Sequence, residues 1–323
     1  MLHHLLTLLT CLSTTIALPA KHLPVRQSTD SFRDIAYYAY FQDANHQPYN
    51  ILPIIENPSH ITHLNLFSVD LRTSGPNLTI GGVAPTDSSF LGDLWGEVKQ
   101  VQQAGVKVLA SIGAYQAECW ILLQDDFNTW YPILLDFLQR YELDGVDLDI
   151  EPNAQGQTPN GIAAPLQLIQ ALRNDMAADF IISMAPVAAD LTANPPEYSG
   201  FDYKQLDNAA VGPDGQHQID FFNGQFYNGW GDCSDASTYD SIILNGYSPD
   251  RVIFGVLADS EDGNGFCSIS TLTTTIKTIR TTYPTMGGAD GYELVRAGQD
   301  DDLQNWQWFQ GIYNASTTAL LAL

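Results

Sequence analysis

Positive charge is scarce in this chain: 13 Lys and Arg stand against 37 Asp and Glu in 323 residues, a formal charge of −24. A polyanion would meet repulsion at every approach, so no nucleic-acid partner is expected, whereas neutral ligands are not excluded. Cysteine is scarce too, with four residues and neither a Cys-x-x-Cys pair nor a His-rich cluster. The ligand spacing of a structural zinc site is therefore missing, and no metal or cofactor is expected. Past the N-terminal segment there is no apolar run of about 18 residues, so no membrane partner is expected either. Internal repeats and low-complexity tracts are also missing, and a monomer with one large domain is expected.

The N-terminus begins Met1-Leu2-His3-His4-Leu5 and stays apolar to Leu18, with small residues at Thr15-Ile16-Ala17. That pattern predicts a signal peptide over 1–17 and a secreted, extracellular protein. Residues 18–30 are polar, contain proline and show no periodicity, as in a propeptide or disordered lead-in, with Arg26 a candidate processing point. The folded domain is placed at 31–316, and a short tail, 317–323, closes the last helix. With Cys11 in the signal, Cys119, Cys233 and Cys267 remain; one pair can bridge and one thiol is left over. Cys233 with Cys267 is the expected pair, since both follow predicted strands. Asn77-Leu78-Thr79 and Asn314-Ala315-Ser316 are glycosylation sequons that fit secretion.

Against this background one stretch stands out, Asp144-Gly145-Val146-Asp147-Leu148-Asp149-Ile150-Glu151. In a strand, successive side chains alternate faces, so Asp147, Asp149 and Glu151 share one face and Val146, Leu148 and Ile150 the other. Asp144 has the opposite parity and is given a structural role. A strand apolar on one side and acidic on the other suits a parallel α/β barrel, packed against helices outside and opening at its C-terminal end into an active site. Each negative neighbour disfavours ionisation of the next, so one carboxyl should keep its proton near neutral pH; Glu151, nearest the strand end, is the candidate. A calcium loop would need Asp-x-Asx-x-Asx-Gly with a Glu at position 12, which does not follow. A merely solvated loop would not alternate so regularly. Glycosidic chemistry, phosphoryl chemistry or a polar binding site remain.

The rest of the chain alternates between strand-like and helix-like segments, as parallel connections require. Strands are predicted at Ile35–Phe41, Ile61–Val69, Val106–Gly113, Phe180–Ala185, Ile219–Tyr227, Arg251–Leu257 and Thr285–Tyr292, in addition to the acidic one. A short helix is expected around Pro53, and longer ones at Phe90–Ala104, Phe127–Tyr141, Pro165–Ala178 and Thr271–Thr282. Leu71–Asp87, Pro152–Ala164 and Leu191–Asp207 are predicted as long loops at the upper rim, where this architecture keeps its ligand contacts. Parity puts Phe221, Asn223, Gln225 and Tyr227 on one face of the sixth barrel strand.

Asp144 to Glu151 resembles the Asp-Gly-x-Asp-x-Asp-x-Glu signature of family 18 glycoside hydrolases, the chitinases and endo-β-N-acetylglucosaminidases. Across roughly Asp34 to Tyr313 the chain looks most like the secreted fungal endo-β-N-acetylglucosaminidases of that family, through Tyr40-Phe41-Gln42, Ile51-Leu52-Pro53, Gln103 to Val108, Ala185 to Ala188 and Gln225-Phe226-Tyr227. The resemblance implies a (β/α)8 TIM barrel with the signature on its fourth strand. It also implies cleavage of the β-1,4 bond in GlcNAc-GlcNAc units, with the substrate's own N-acetyl oxygen as nucleophile and retention at the anomeric carbon. Glu151 then serves as general acid and base, Asp149 orients the acetamido group, Asp147 holds Asp149, and Tyr227 holds the acetamido carbonyl. Gln225 and Met184 match neighbours of the reacting sugar, and Tyr40, Tyr292 and Asp290 complete the expected substrate contacts.

An endochitinase is the alternative, because it shares every catalytic residue; a catalytically weak sugar-binding barrel is the third reading. Two departures bear on it. Ser111-Ile112-Gly113-Ala114 carries Ala114 where the family's strand-three motif has a second glycine. Gly287 to Tyr292 ends on Tyr292 where the family has a tryptophan flooring the reacting sugar, with Asp290 at an otherwise apolar position. If the smaller ring limits the enzyme, Tyr292→Trp should raise the hydrolysis rate; kinetics of the purified variant showing no gain would clear Tyr292 of that role.

Overall fold

The computed structural model describes residues 32–115 and 117–320. The expected signal peptide (1–17), the lead-in (18–30) and the last residues of the tail (321–323) lie outside the described residues. Nine strands form one sheet: β1 (Arg33–Tyr38), β2 (His63–Leu71), β3 (Leu78–Ile80), β4 (Lys107–Gly113), β5 (Gly145–Asp149), β6 (Ile181–Met184), β7 (Phe221–Gln225), β8 (Val252–Leu257) and β9 (Gly288–Tyr292). All except β3 run parallel, and β1 pairs with both β2 and β9, so eight strands close into a (β/α)8 barrel. The acidic strand, β5, is the fourth of the eight.

Strand parity separates two environments. Val146, Leu148 and Ile150 are buried in the main apolar layer between strands and helices. Inside the barrel, Ile35, Phe221 and Ile253 form a small separate apolar floor. His63 abuts the Phe221 ring edge-on at 5.7 Å, and burial lowers its pKa to about 3, so it is neutral. Above that floor the barrel interior turns polar, beginning at Asp147. Asp144, of opposite parity, ties the lower rim together: it accepts from Lys107 Nζ at 2.9 Å, Gln102 Nε2 at 2.9 Å and the Val108 amide at 3.0 Å.

The observed elements differ from expectation in three places. The segment Leu71–Asp87 is not wholly loop, because Leu78–Ile80 returns antiparallel along β2. Phe90–Ala104 is not one helix: Gly92, with φ +62°, ends Ser88–Leu91, and a second helix runs Leu94–Gln103. The stretch Leu191–Asp207 opens with a tight turn, Ala188–Leu191, and closes in a helix, Tyr203–Ala209, whose N-terminus is capped by the Asp202 side chain accepting from the Lys204 amide. Sequence spacing also misses the helices Cys119–Asp125 and Ser237–Leu244, which are only about two turns long. The final helix, Asn305–Leu320, packs on Ile269–Thr282 and β1 and continues past 316. Among the described residues no helix is long and apolar enough to cross a membrane.

Cys233 and Cys267 form a disulfide, as expected, and Cys119 is a buried free thiol. The bridge spans 34 residues, and a loop of that length restricts the unfolded chain by about 3–4 kcal/mol. Cys233→Ser/Cys267→Ser should therefore unfold at lower urea with a stability loss of about that size, read from equilibrium denaturation followed by circular dichroism.

Candidate active site

Three carboxyls stacked along β5 cannot all be ionised without compensation. Asp147, the lowest, is fully buried and surrounded by neutral donors rather than cations. Tyr37 Oη (2.8 Å) and Ser111 Oγ (3.1 Å) donate to one oxygen, and Ser183 Oγ (2.7 Å) and Asn223 Nδ2 (2.9 Å) to the other. Burial raises its pKa and these four bonds oppose the rise. Asp149, one step up, has no such nest: burial, then Glu151 and Asp147 beside it, push it well above the usual carboxylate range. Glu151 is raised by burial, while hydrogen bonds from Gln225, Tyr198 and Asp149 lower it. Both acids are thus raised by burial and interact with each other, so the pair retains a proton more readily than either acid would in water.

The position of this ladder is set by its neighbours. Trp120 Nε1 donates to the Asp149 carbonyl at 2.8 Å, fixing the strand where the carboxylates project. Gly113 makes that contact possible: a Cβ there would lie 2.1 Å from the Asp149 oxygen and 2.4 Å from the indole nitrogen. Gln225 Nε2 donates to the Ala185 carbonyl (2.9 Å), Glu151 (3.2 Å) and Asp149 (3.5 Å), and Tyr198 Oη approaches Glu151 at 3.5 Å. A cavity of about 180 Å³ opens above Asp149 and Glu151, with Tyr227, Asn223, Tyr292 and Asp290 in its wall. No Lys or Arg is among its described lining residues. A carboxyl of raised pKa beside an open cavity is equipped for proton transfer to a leaving oxygen.

Comparison with known proteins agrees with that chemistry. The model of "Glycosyl hydrolases family 18" matches residues 33–256. The chain belongs to family 18. A fungal endo-β-N-acetylglucosaminidase of this family is 31% identical, with a TM-score of 0.76 over 87% of this chain and 96% of that one. The chitinase ChiC from Aspergillus fumigatus is 28% identical, with a TM-score of 0.76 over 91% of this chain and 100% of that one. Endochitinase 4 of Metarhizium robertsii is 23% identical over 252 residues, 70% of this chain and 72% of that protein. The chain is thus a chitinase-like family 18 glycosidase.

Within this family 18 site, several sequence expectations find their place and two do not. Glu151, Asp149, Gln225, Tyr227, Tyr292 and Asp290 all line the cavity, and Asp147 lies directly beneath. Asp147 acts on Asp149 through its charge, its own oxygens being taken by the four donors. Met184 is misplaced: it pairs in register with Leu148, whose side chain faces the helices, and it is buried in that apolar layer, while Ala185 reaches the cavity instead. Tyr40 is also outside the lining; it stands 37% exposed at the rim, donating to Asp262 at 3.0 Å with Arg296 over its ring at 4.5 Å. The tyrosine that matters on β1 is Tyr37, and parity with inward-facing Ile35 was the signal for it. Trp120, Ser183 and Tyr198 were missed, and Ser111 was seen only as part of the strand-three motif, because alternation reports a face, not which strands converge.

The two departures are also resolved in geometry. Ala114 adopts φ +155°, a backbone conformation that suits the glycine it replaces. Tyr292 lies against Phe67 at 5.4 Å and Tyr37 at 6.1 Å, an aromatic cluster in the cavity wall. Asp290 tucks its carboxyl over Gly255, where a Cβ would come within 2.5 Å of it, and one of its oxygens is buried without a partner. Burial, with Asp147 nearby, raises its pKa well above normal. A raised folded pKa means the folded state holds the proton longer than the unfolded one, so stability is full below the unfolded value and falls as pH rises through the folded one. Thermal unfolding of Asp290→Asn should accordingly show a shallower loss of stability between pH 4 and pH 9 than the unsubstituted protein, read from melting temperatures across that range.

Proposed function

We propose that the protein is a secreted endo-β-N-acetylglucosaminidase that cuts the β-1,4 bond between the two N-acetylglucosamines of N-glycans. The observation that carries the reading is the meeting of Asp149, Glu151 and Tyr227 in one cavity, with burial raising the pKa of both acids. When Asp149 swings its charge to the acetamido nitrogen of a bound sugar, the single proton must pass to Glu151, which then faces the leaving oxygen as general acid. The acetamido oxygen attacks the anomeric carbon, the oxazolinium forms, and Glu151, now ionised, takes a proton from water in the second step. Tyr227 is assigned to the acetamido carbonyl; burial, with Asp290, Tyr292 and Asp149 nearby, keeps its hydroxyl protonated and able to donate. Gln225 positions Glu151, and the Tyr292, Phe67 and Tyr37 cluster supports the sugar face.

Support for the N-glycan substrate comes from the fungal endo-β-N-acetylglucosaminidase, which is 31% identical and covered over 96% of its length. The endochitinase reading is favoured by the curated relatives, three of which are named endochitinases, at 23–27% identity. Secretion is supported by the apolar N-terminal sequence and by the Cys233–Cys267 bridge, since disulfides persist mainly in oxidising compartments. The enzyme acts here as a monomer on a neutral glycan.

Mass spectrometry of products from a high-mannose glycoprotein and, separately, a chitin hexamer tests the proposal. Released glycans ending in one N-acetylglucosamine are expected, with Glu151→Gln reducing the rate by at least 1,000-fold, on the order of the loss for a general acid. Chitin fragments alone would transfer the assignment to endochitinase. The rate should also fall on the alkaline side, as the pair loses its shared proton; a rate still rising at pH 9 would remove Glu151 as the acid.

A further inference from the structure

Two polar oxygens in the wall of the catalytic cavity have no part in the proton transfer described above. Asp290 is 4% exposed and Asn223 1% exposed, and both border the opening. Oδ2 of Asp290 and Oδ1 of Asn223 are buried, and neither has a hydrogen-bond partner among the described residues. The Asn223 nitrogen is committed to Asp147 at 2.9 Å, which turns the amide oxygen away from that carboxyl. Buried polar atoms are almost always paired, so two unpaired oxygens on one cavity wall call for a ligand that brings a donor. The carboxyl also has a place made for it. Gly255 is in register with Asp290 on β8, and a Cβ there would lie 2.5 Å from Oδ2 and 2.8 Å from Oδ1.

Strand register gives these oxygens a level in the cavity. Ile35 of the apolar floor is in register with Asp290, and Tyr292 stands one inward step above it, so the carboxyl lies between the floor and that ring. Asp290 is also the first neighbour, after burial itself, to raise the pKa of Tyr227, which puts it beside the phenol assigned to the acyl carbonyl. In the proposed reaction the acyl group is held at two of its three corners, the nitrogen by Asp149 and the oxygen by Tyr227. A carbonyl carbon is planar, so its third substituent leaves away from both, toward the part of the wall that Asp290 and Asn223 form. In an N-acetyl sugar that substituent is a methyl, which offers the two oxygens nothing. A hydroxymethyl group in its place brings a donor and an acceptor.

We propose that Asp290 and Asn223 make the acyl pocket selective for a hydroxylated acyl group, so that the sugar whose bond is cut is favoured in its N-glycolyl form over its N-acetyl form. An N-acetyl sugar is held by Asp149 and Tyr227 alone; the N-glycolyl hydroxyl adds a donor for Oδ2 of Asp290 or Oδ1 of Asn223. The inference rests on the glycan-cleaving reading above, since that reading places the acyl nitrogen and oxygen. The probes are thiazolines, sulfur analogues of the oxazolinium ring. Two disaccharides are used, mannosyl-β-1,4-glucosamine and N-acetylglucosaminyl-β-1,4-glucosamine, each closed to a thiazoline that carries either a methyl or a hydroxymethyl group on the former acyl carbon. Binding to the unsubstituted protein is measured by calorimetry.

For whichever disaccharide binds, the hydroxymethyl form should bind about tenfold more tightly than the methyl form, the gain expected of one added hydrogen bond. Asp290→Asn keeps a donor and an acceptor in place and should keep this preference. Asp290→Leu and Asp290→Ala should abolish or reverse it, whereas a change that merely loosened the wall would weaken both forms alike. Equal binding of the two forms by the unsubstituted protein, tighter binding of the methyl form, or an unchanged ratio in whichever of the Leu and Ala variants folds would overturn the inference. So would no binding of any thiazoline by a protein that cleaves a glycan, and in each of these cases glycan cleavage leaves the enzyme reading intact. No binding of any thiazoline, with no cleavage of a high-mannose glycoprotein or a chitin hexamer, would overturn the reading and the inference together.

Discussion

Much of this barrel is organised around the need to keep one carboxyl, Asp147, buried without a cation. Isolated carboxylates in low dielectric are costly unless hydrogen bonds replace the lost water. Here the replacement comes from four strands at once: Tyr37 on β1, Ser111 on β4, Ser183 on β6 and Asn223 on β7. Ser111 and Ser183 are the residues in register with Asp147 on the two flanking strands. The pairing register of the sheet is therefore also the coordination shell of the carboxyl. A slip of the two flanking strands by one residue would turn both hydroxyls outward and leave the carboxyl only Tyr37 and Asn223.

The same constraint explains why the next two acids share a proton. With every neutral donor in reach committed to Asp147, Asp149 is left with Glu151 and a distant Gln225 amide. Protonation is the remaining way to settle it in a buried site. Trp120 and Gly113 contribute by holding the backbone rather than the carboxyl.

Most of the fold was legible in the sequence, because barrel strands carry a period-2 signal and the acidic strand carries it with contrasting chemistry. Elements shorter than about two turns of helix or four strand residues, such as Leu78–Ile80 and Cys119–Asp125, give too few repeats to register. The acids of the site were legible for the same reason, as was Tyr227. Their supports were not: Tyr37, Ser111 and Ser183 are ordinary strand residues until the closure of the barrel brings them to one point. Met184 shows the converse, a residue in the right segment with the wrong parity.

The absence of Lys and Arg from the described cavity wall has a consequence of its own. Mobile ions act on exposed charges across about 8–10 Å at ordinary ionic strength and reach buried pairs weakly. A neutral glycan, a proton shared between two buried acids and a carboxyl held by uncharged hydroxyls give salt almost nothing to screen. The strongly negative exterior provides solubility but no steering of such a ligand, whose capture depends on contact and shape alone. The chemistry inside the barrel is thus electrically insulated from the surface that surrounds it.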